Sequence, residues 1–124
     1  MVMNNNAKSF GKEGEDLAAE MLREKGYEIL ERNYRYGKGE IDIVAKDPDN
    51  GFTVFVEVKS RKNLEFGAPE YAITKSKIKQ VKKMAELYLY DKNITEIDCR
   101  FDVVAILFKY KQKPEINHYV NAFS

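Results

Sequence analysis

The run Phe52-Thr-Val-Phe-Val-Glu-Val-Lys-Ser-Arg61 has the length and composition of a β-strand, yet it sets an acid and an amine, Glu57 and Lys59, two residues apart. Side chains at i and i+2 of a strand share a face about 7 Å apart, so Glu57 and Lys59 point the same way beside Phe55, with Val54, Val56 and Val58 opposite. Two charges therefore sit where a sheet would bury apolar groups. Shortly upstream, Gly39-Glu40-Ile41-Asp42-Ile43 opens a second run reaching Lys46, in which Ile41, Ile43 and Ala45 alternate with Glu40, Asp42 and Val44. The turn Asp47-Pro-Asp-Asn-Gly51 joins the two. So short a connection predicts that residues 40–46 and 52–61 pair antiparallel as a hairpin, which brings Asp42 towards the Glu57 and Lys59 end.

The rest of the chain supplies a frame for that hairpin. Ser9 or a neighbour caps a helix running to about Lys25, with Leu17, Ala18, Met21 and Leu22 as its apolar stripe and Gly26 as its left-handed stop. Tyr27 to Tyr36 reads as extended, and Gly37-Lys38-Gly39 breaks it before Glu40. After a loop from Asn63 to Pro69 that contains Gly67, a second helix is expected from about Thr74 to Tyr90, its inner stripe being Ile78, Val81, Ala85 and Tyr88. The near-continuous apolar run within Asp98 to Phe108 predicts a central strand covered on both faces, and Ile116 to Phe123 an edge strand. The order α, β, β, β, α, β, β specifies an α/β (α+β) fold, a single domain with a central mixed β-sheet flanked by helices. With 124 residues, one domain is the expectation: a flexible terminus over residues 1–8 and one folded unit over 9–124.

No apolar signal core opens the chain, and its longest apolar stretch, Val103 to Phe108, is too short to span a bilayer, so a soluble cytoplasmic protein without a membrane partner is expected. The lone cysteine, Cys99, cannot form an internal disulfide and reads as a small buried side chain. A net charge of +1 implies no partner by itself, but its distribution does. From Lys59 to Lys83 the bases Lys59, Arg61, Lys62, Lys75, Lys77, Lys79, Lys82 and Lys83 face only Glu65 and Glu70. On the second helix, Lys75, Lys79, Lys82 and Lys83 fall within an arc of about 100° and Lys77 lies across the apolar stripe, a ribbon suited to a phosphate backbone. Gln80 offers a further polar contact.

Asp42, Glu57 and Lys59 form a constellation suited to one chemistry. Hydrolysing a phosphodiester requires neutralising phosphoryl charge and generating a strong nucleophile at neutral pH, and a divalent ion held by carboxylates supplies both. Mg²⁺, or Mn²⁺ in its place, prefers hard oxygen ligands, which Asp42, Glu57 and the Val58 carbonyl provide, with Lys59 placed to steer water or stabilise the phosphorane. A two-metal variant needs another acid: Glu15 on the first helix is the candidate, with Glu40 as the alternative. His118 has no partner at catalytic or ligand spacing and reads as structural or surface, and Asp102 reads as a structural acid paired with Arg100 or another base. Gly-rich phosphate loops, Cys/His clusters and Ser/His/Asp sets are missing, which argues against NTPase, zinc-protein and triad-hydrolase functions.

The segments Gly39-Glu-Ile-Asp42 and Val56-Glu-Val-Lys-Ser-Arg61 resemble the signature of the PD-(D/E)XK nucleases, although Ile41 stands where that name places a proline. More closely, the chain resembles the YraN family of small bacterial proteins. The resemblance runs through Gly14-Glu15 with Leu17-Ala18-Ala19, Lys25-Gly26-Tyr27, Asn33-Tyr34-Arg35, Phe66-Gly67-Ala68-Pro69, Tyr88-Leu89 and Arg100-Phe101-Asp102-Val103-Val104. Glu15, ahead of Gly26, is also similar to the first-helix glutamate of archaeal Holliday junction resolvases. The resemblance implies a restriction endonuclease-like or resolvase-like, nuclease-like core, and with the residues above the expectation is a Mg²⁺-dependent endonuclease acting on DNA, branched or structured DNA included; placing two cuts across a junction would require a symmetric homodimer. Its competitors are a catalytically weak or inactive nucleic-acid-binding module and a subunit of a DNA-processing assembly.

Overall fold

Gly26 ends the first helix as its sequence requires, with φ of 92°, a left-handed conformation that costs glycine little. The computed structural model describes residues 6–62, 74–95 and 97–123, with side chains of the first helix from Gly11 onward. In chain order the elements are α1 (Asn6–Glu24), β1 (Glu28–Tyr36), β2 (Gly39–Lys46), β3 (Thr53–Arg61), α2 (Lys75–Asp91), β4 (Cys99–Leu107) and β5 (Glu115–Tyr119). Helix α1 thus begins ahead of the expected Ser9 cap. The loop expected from Asn63 to Pro69 and the outermost amino-terminal residues lie outside the described residues. Helix α2 is capped as expected, Thr74 Oγ1 accepting the Lys77 amide at 3.1 Å.

The strands form one mixed sheet in the order β1-β2-β3-β4-β5. The predicted hairpin is present, with β2 antiparallel to β3 from Lys46↔Thr53 to Ile43↔Val56. β3 and β4 run parallel, from Thr53↔Cys99 to Arg61↔Leu107, so the crossover between them is the segment containing α2. β1 and β5 pair antiparallel at the two edges.

Each sheet face is covered by one helix. Ala18, Ala19 and Leu22 of α1 pack on Ile43, Ala45, Val54, Val56, Val104 and Ile106, while Met84, Ala85 and Tyr88 of α2 pack on Tyr34, Ile41, Val44 and Phe55. Small residues let both helices come close. A Cβ on Gly14 would lie 2.0 Å from Ser60 Oγ, and one on Gly39 would lie 2.4 Å from Met84 Sδ, so Gly14 seats α1 against β3 and Gly39 seats β2 against α2.

β2 departs from the alternation expected for it. Ile43 and Ala45 pack under α1, but Ile41 joins Val44 on the α2 face. Opposite this break, Asn33 of β1 takes a left-handed φ of 54° between the pairs Arg32↔Ile43 and Tyr34↔Ile41. Cys99 is exposed at the start of β4, correcting the expectation of a buried thiol: it precedes the stretch of β4 that the core covers.

On the α1 face, a polar network fills the space beyond the end of α1. Arg100 donates to Asp102 Oδ1 at 3.0 Å, to Asp47 Oδ2 at 2.6 Å and to Tyr27 Oη at 2.7 Å. Asp102 also accepts the Asn121 amide and contacts His118 Nε2 at 2.8 Å. Because the Lys25 ammonium 3.1 Å from Nδ1 can only donate, His118 Nδ1 accepts and Nε2 carries the hydrogen to Asp102. His118 is therefore structural and nearly buried, and Asp102 pairs with Arg100 as its sequence context suggested. Burial opposes ionisation of Asp102, but the hydrogen bonds from His118 and Arg100 outweigh it and hold its carboxyl below the usual carboxylate range. Arg100→Ala strands two buried carboxylates and is expected to cost about 3 to 5 kcal/mol in urea unfolding. Adding Asp102→Asn should recover part of that loss, and additive costs in the double variant would contradict this account of the network.

Candidate metal centre

The β2–β3 ladder stops at Ile43↔Val56, although both strands continue. Carried one step further, the register would set Asp42 against Glu57, and a further step Ile41 against Val58. Instead the Asp42 side chain occupies the gap, its Oδ2 accepting the Val58 amide at 2.8 Å. In an extended strand a residue's N–H and C=O point to the same side, so the Val58 carbonyl faces that gap too.

Glu15, placed by the close seating of α1 at Gly14, enters from the helix. Glu40 enters from the start of β2. Glu15, Glu40 and Asp42 each bring a carboxylate oxygen to within 4.8 Å of the others. On an octahedral Mg²⁺ ion adjacent oxygens lie about 3 Å apart and opposite ones about 4.2 Å, so the three carboxylates share one ion once their side chains draw together. The sequence offered Glu15 or Glu40 as the added acid; the structure brings in both.

The cluster is charged and poorly solvated. Asp42 is 7% exposed and Glu57 4%. Burial, with the nearby Glu57 charge adding to it, pushes the Asp42 carboxyl up to about 8. Burial and then the Glu40 charge raise Glu15 as well. Glu57 has cationic partners, with Lys59 Nζ at 3.4 Å and Lys77 Nζ at 3.6 Å, and Glu40 is held by Arg35 at 2.7 Å. Asp42 is held by a neutral amide. This donor set, all hard oxygen and more acid than its lysines offset, suits a small divalent cation.

Of the bases assigned to phosphate, Lys77 turns inward to Glu57. Lys75, Lys79, Lys82 and Lys83 line a surface groove of about 500 Å³ along α2, together with Ile78 and Glu86. Arg61 ends β3 half-buried, donating to the Ser60 carbonyl at 2.9 Å, with Lys62 exposed just beyond it, and Gln80 is exposed on α2. Sequence reasoning did not find Lys77 and Arg35 as partners of the acids, since both pairings cross between elements. Gly14 did carry a signal: glycine inside a helix costs about 1 kcal/mol against alanine and marks a close contact.

The family described as "Uncharacterised protein family UPF0102" matches residues 14–106. Among similar proteins, a UPF0102 protein of Syntrophomonas wolfei is 50% identical over 110 residues, covering 89% of this chain and 93% of its own length. One from Geobacter sulfurreducens is 43% identical over 116 residues, 94% of this chain and 89% of its own. One from Chlorobium phaeobacteroides is 40% identical over 126 residues, 98% of both.

The raised Asp42 carboxyl fixes a sign for the pH dependence of stability. Between its unfolded value near 4 and its folded value of about 8, the folded chain binds a proton that the unfolded chain does not, so stability falls as pH rises across that window and levels off above it. Thermal unfolding in a chelator from pH 4 to 9 should show that fall, and Asp42→Asn should flatten it. An unchanged slope in the variant would place the effect elsewhere.

Proposed function

The chain belongs to the family UPF0102, as its YraN-like segments indicated, and from that premise we propose that it is a divalent-metal-dependent endonuclease acting on DNA. What supports this most is the meeting of the Glu15, Glu40 and Asp42 carboxylates at the parting of two strands, with Glu57 and its partner Lys59 on the adjacent strand. A bound Mg²⁺ or Mn²⁺ would supply charge neutralisation at the scissile phosphate and an activated water. The chain's own residues do the rest. Asp42, Glu57, Glu15 and the Val58 carbonyl offer the oxygens. Lys59, held by Glu57 and only part-exposed, keeps its ammonium at the rim of the carboxylate site, where charge develops on a phosphoryl group. Lys77 brings a second ammonium to the same Glu57 oxygen.

Lys75, Lys79, Lys82 and Lys83 form the surface that receives the backbone. Such contacts position a strand without reading its sequence. The groove and the acids are separate elements of one reading, so substitutions divide them.

Wild-type protein should cut linear, flapped or four-way DNA with Mg²⁺ or Mn²⁺ and not in a chelator. Asp42→Asn and Glu57→Gln should abolish cutting and leave binding largely intact. Lys79→Glu with Lys83→Glu should weaken binding and lower its salt slope by up to about 2. If the wild type cuts none of these with either metal, the enzyme reading fails for the isolated chain, and a nucleic-acid-binding module is what remains.

A further inference from the structure

β3 and β4 end together at Arg61↔Leu107, and the antiparallel neighbours bring two turns to that same edge of the sheet. The β1–β2 turn closes at Tyr36↔Gly39, and the β4–β5 turn follows Leu107↔Glu115. The carboxylate site lies just inside this edge, since Glu40 follows Gly39 and Glu57 lies in the second half of β3. Each turn carries a tyrosine set among bases: Arg35-Tyr36-Gly37-Lys38 on one side and Lys109-Tyr110-Lys111 on the other. Tyr36 is 61% exposed and Tyr110 78%. Lys111 Nζ lies 5.4 Å from the centre of the Tyr110 ring.

A single exposed tyrosine needs no explanation. Two of them, at one edge, among cations and on either side of an acidic site, form a pattern. Neighbouring strands lie about 4.8 Å apart, so the two turns are separated by three strand spacings, roughly 14 Å, with the ends of β2, β3 and β4 between them. An aromatic ring beside a cation is the unit by which proteins hold single-stranded nucleic acid, the ring stacking on a base and the cation meeting the phosphate. Uninterrupted duplex offers no free base face, because each base is covered by its neighbours, and exposing one costs a few kcal/mol.

We propose that Tyr36 and Tyr110 are stacking platforms for unpaired bases on either side of the phosphate held at the carboxylate site. The substrate is then nucleic acid with a single-stranded segment there, as in a flap, gap or splayed junction, in preference to continuous duplex. This deepens the nuclease reading and rests on it.

The test is binding without divalent metal, read by fluorescence anisotropy on a labelled single-stranded oligonucleotide and on a blunt duplex of the same sequence. Tyr36→Ala and Tyr110→Ala should each weaken single-strand binding roughly 5- to 150-fold, with Tyr36→Phe and Tyr110→Phe binding like wild type and duplex binding unchanged throughout. Quenching of 2-aminopurine in the oligonucleotide should be lost with the alanine variants and kept with phenylalanine. Alanine variants that bind the single strand normally, phenylalanine variants that fail like alanine, or equal losses on duplex would each overturn the proposal, as would absence of any binding. Metal-dependent cleavage with tyrosine-independent binding sinks this inference alone. Tyrosine-dependent binding without cleavage sinks the enzyme reading alone.

Discussion

A carboxylate is costly to bury, and besides Asp47 and Asp102, which Arg100 holds, this molecule buries Asp42 and Glu57 at the point where a β-ladder gives way. The hydrogen bond from the Val58 amide to Asp42 replaces the strand pairing lost there, so the gap leaves that amide satisfied. That one substitution of side chain for backbone lets two acids, on adjacent strands, approach each other inside the sheet. The cost shows as the upward displacement of Asp42, and a divalent ion is the simplest group to relieve it.

The remaining structure holds this gap open at a fixed width. Helix α1 presses on β3 through Gly14 and delivers Glu15; helix α2 presses on β2 through Met84 over Gly39 and delivers Lys77 to Glu57. Away from the gap, Arg100 joins β4 to Asp47 in the β2–β3 turn and to Tyr27 beyond α1, while His118 joins β5 to the same Asp102. These bonds tie the turn, the helix end and both strands to one guanidinium and one carboxylate. The ladder is thus anchored where it is complete and open where the acids meet.

Much of this was legible in the sequence. Strand identity and the antiparallel hairpin followed from β-formers joined by Asp47-Pro-Asp-Asn-Gly51, and the acids announced themselves as charges among Val54, Val56 and Val58. Local periodicity reached no further than local structure. It put Ile41 on the same face as Ile43, whereas the strand turns over at Asp42 to place Ile41 under α2. It assigned Lys77 to a phosphate ribbon, because the contact with Glu57 depends on how α2 crosses the sheet. The bonds joining Tyr27, Asp47, Arg100 and His118 were equally hidden, since those residues meet only after the strands are assembled.

The central claim is that Asp42, with Glu15 and Glu40 beside it and Glu57 on the adjacent strand, forms one divalent-cation site built on the parted strands. Mn²⁺ binding followed by electron paramagnetic resonance, on the wild type and on Asp42→Asn, Glu57→Gln and Glu15→Gln, tests it without reference to any substrate. The account predicts stoichiometric Mn²⁺ binding by the wild type that each substitution weakens, Asp42→Asn most of all. Wild-type protein that leaves Mn²⁺ free in solution, or binding that survives loss of Asp42 undiminished, would contradict it.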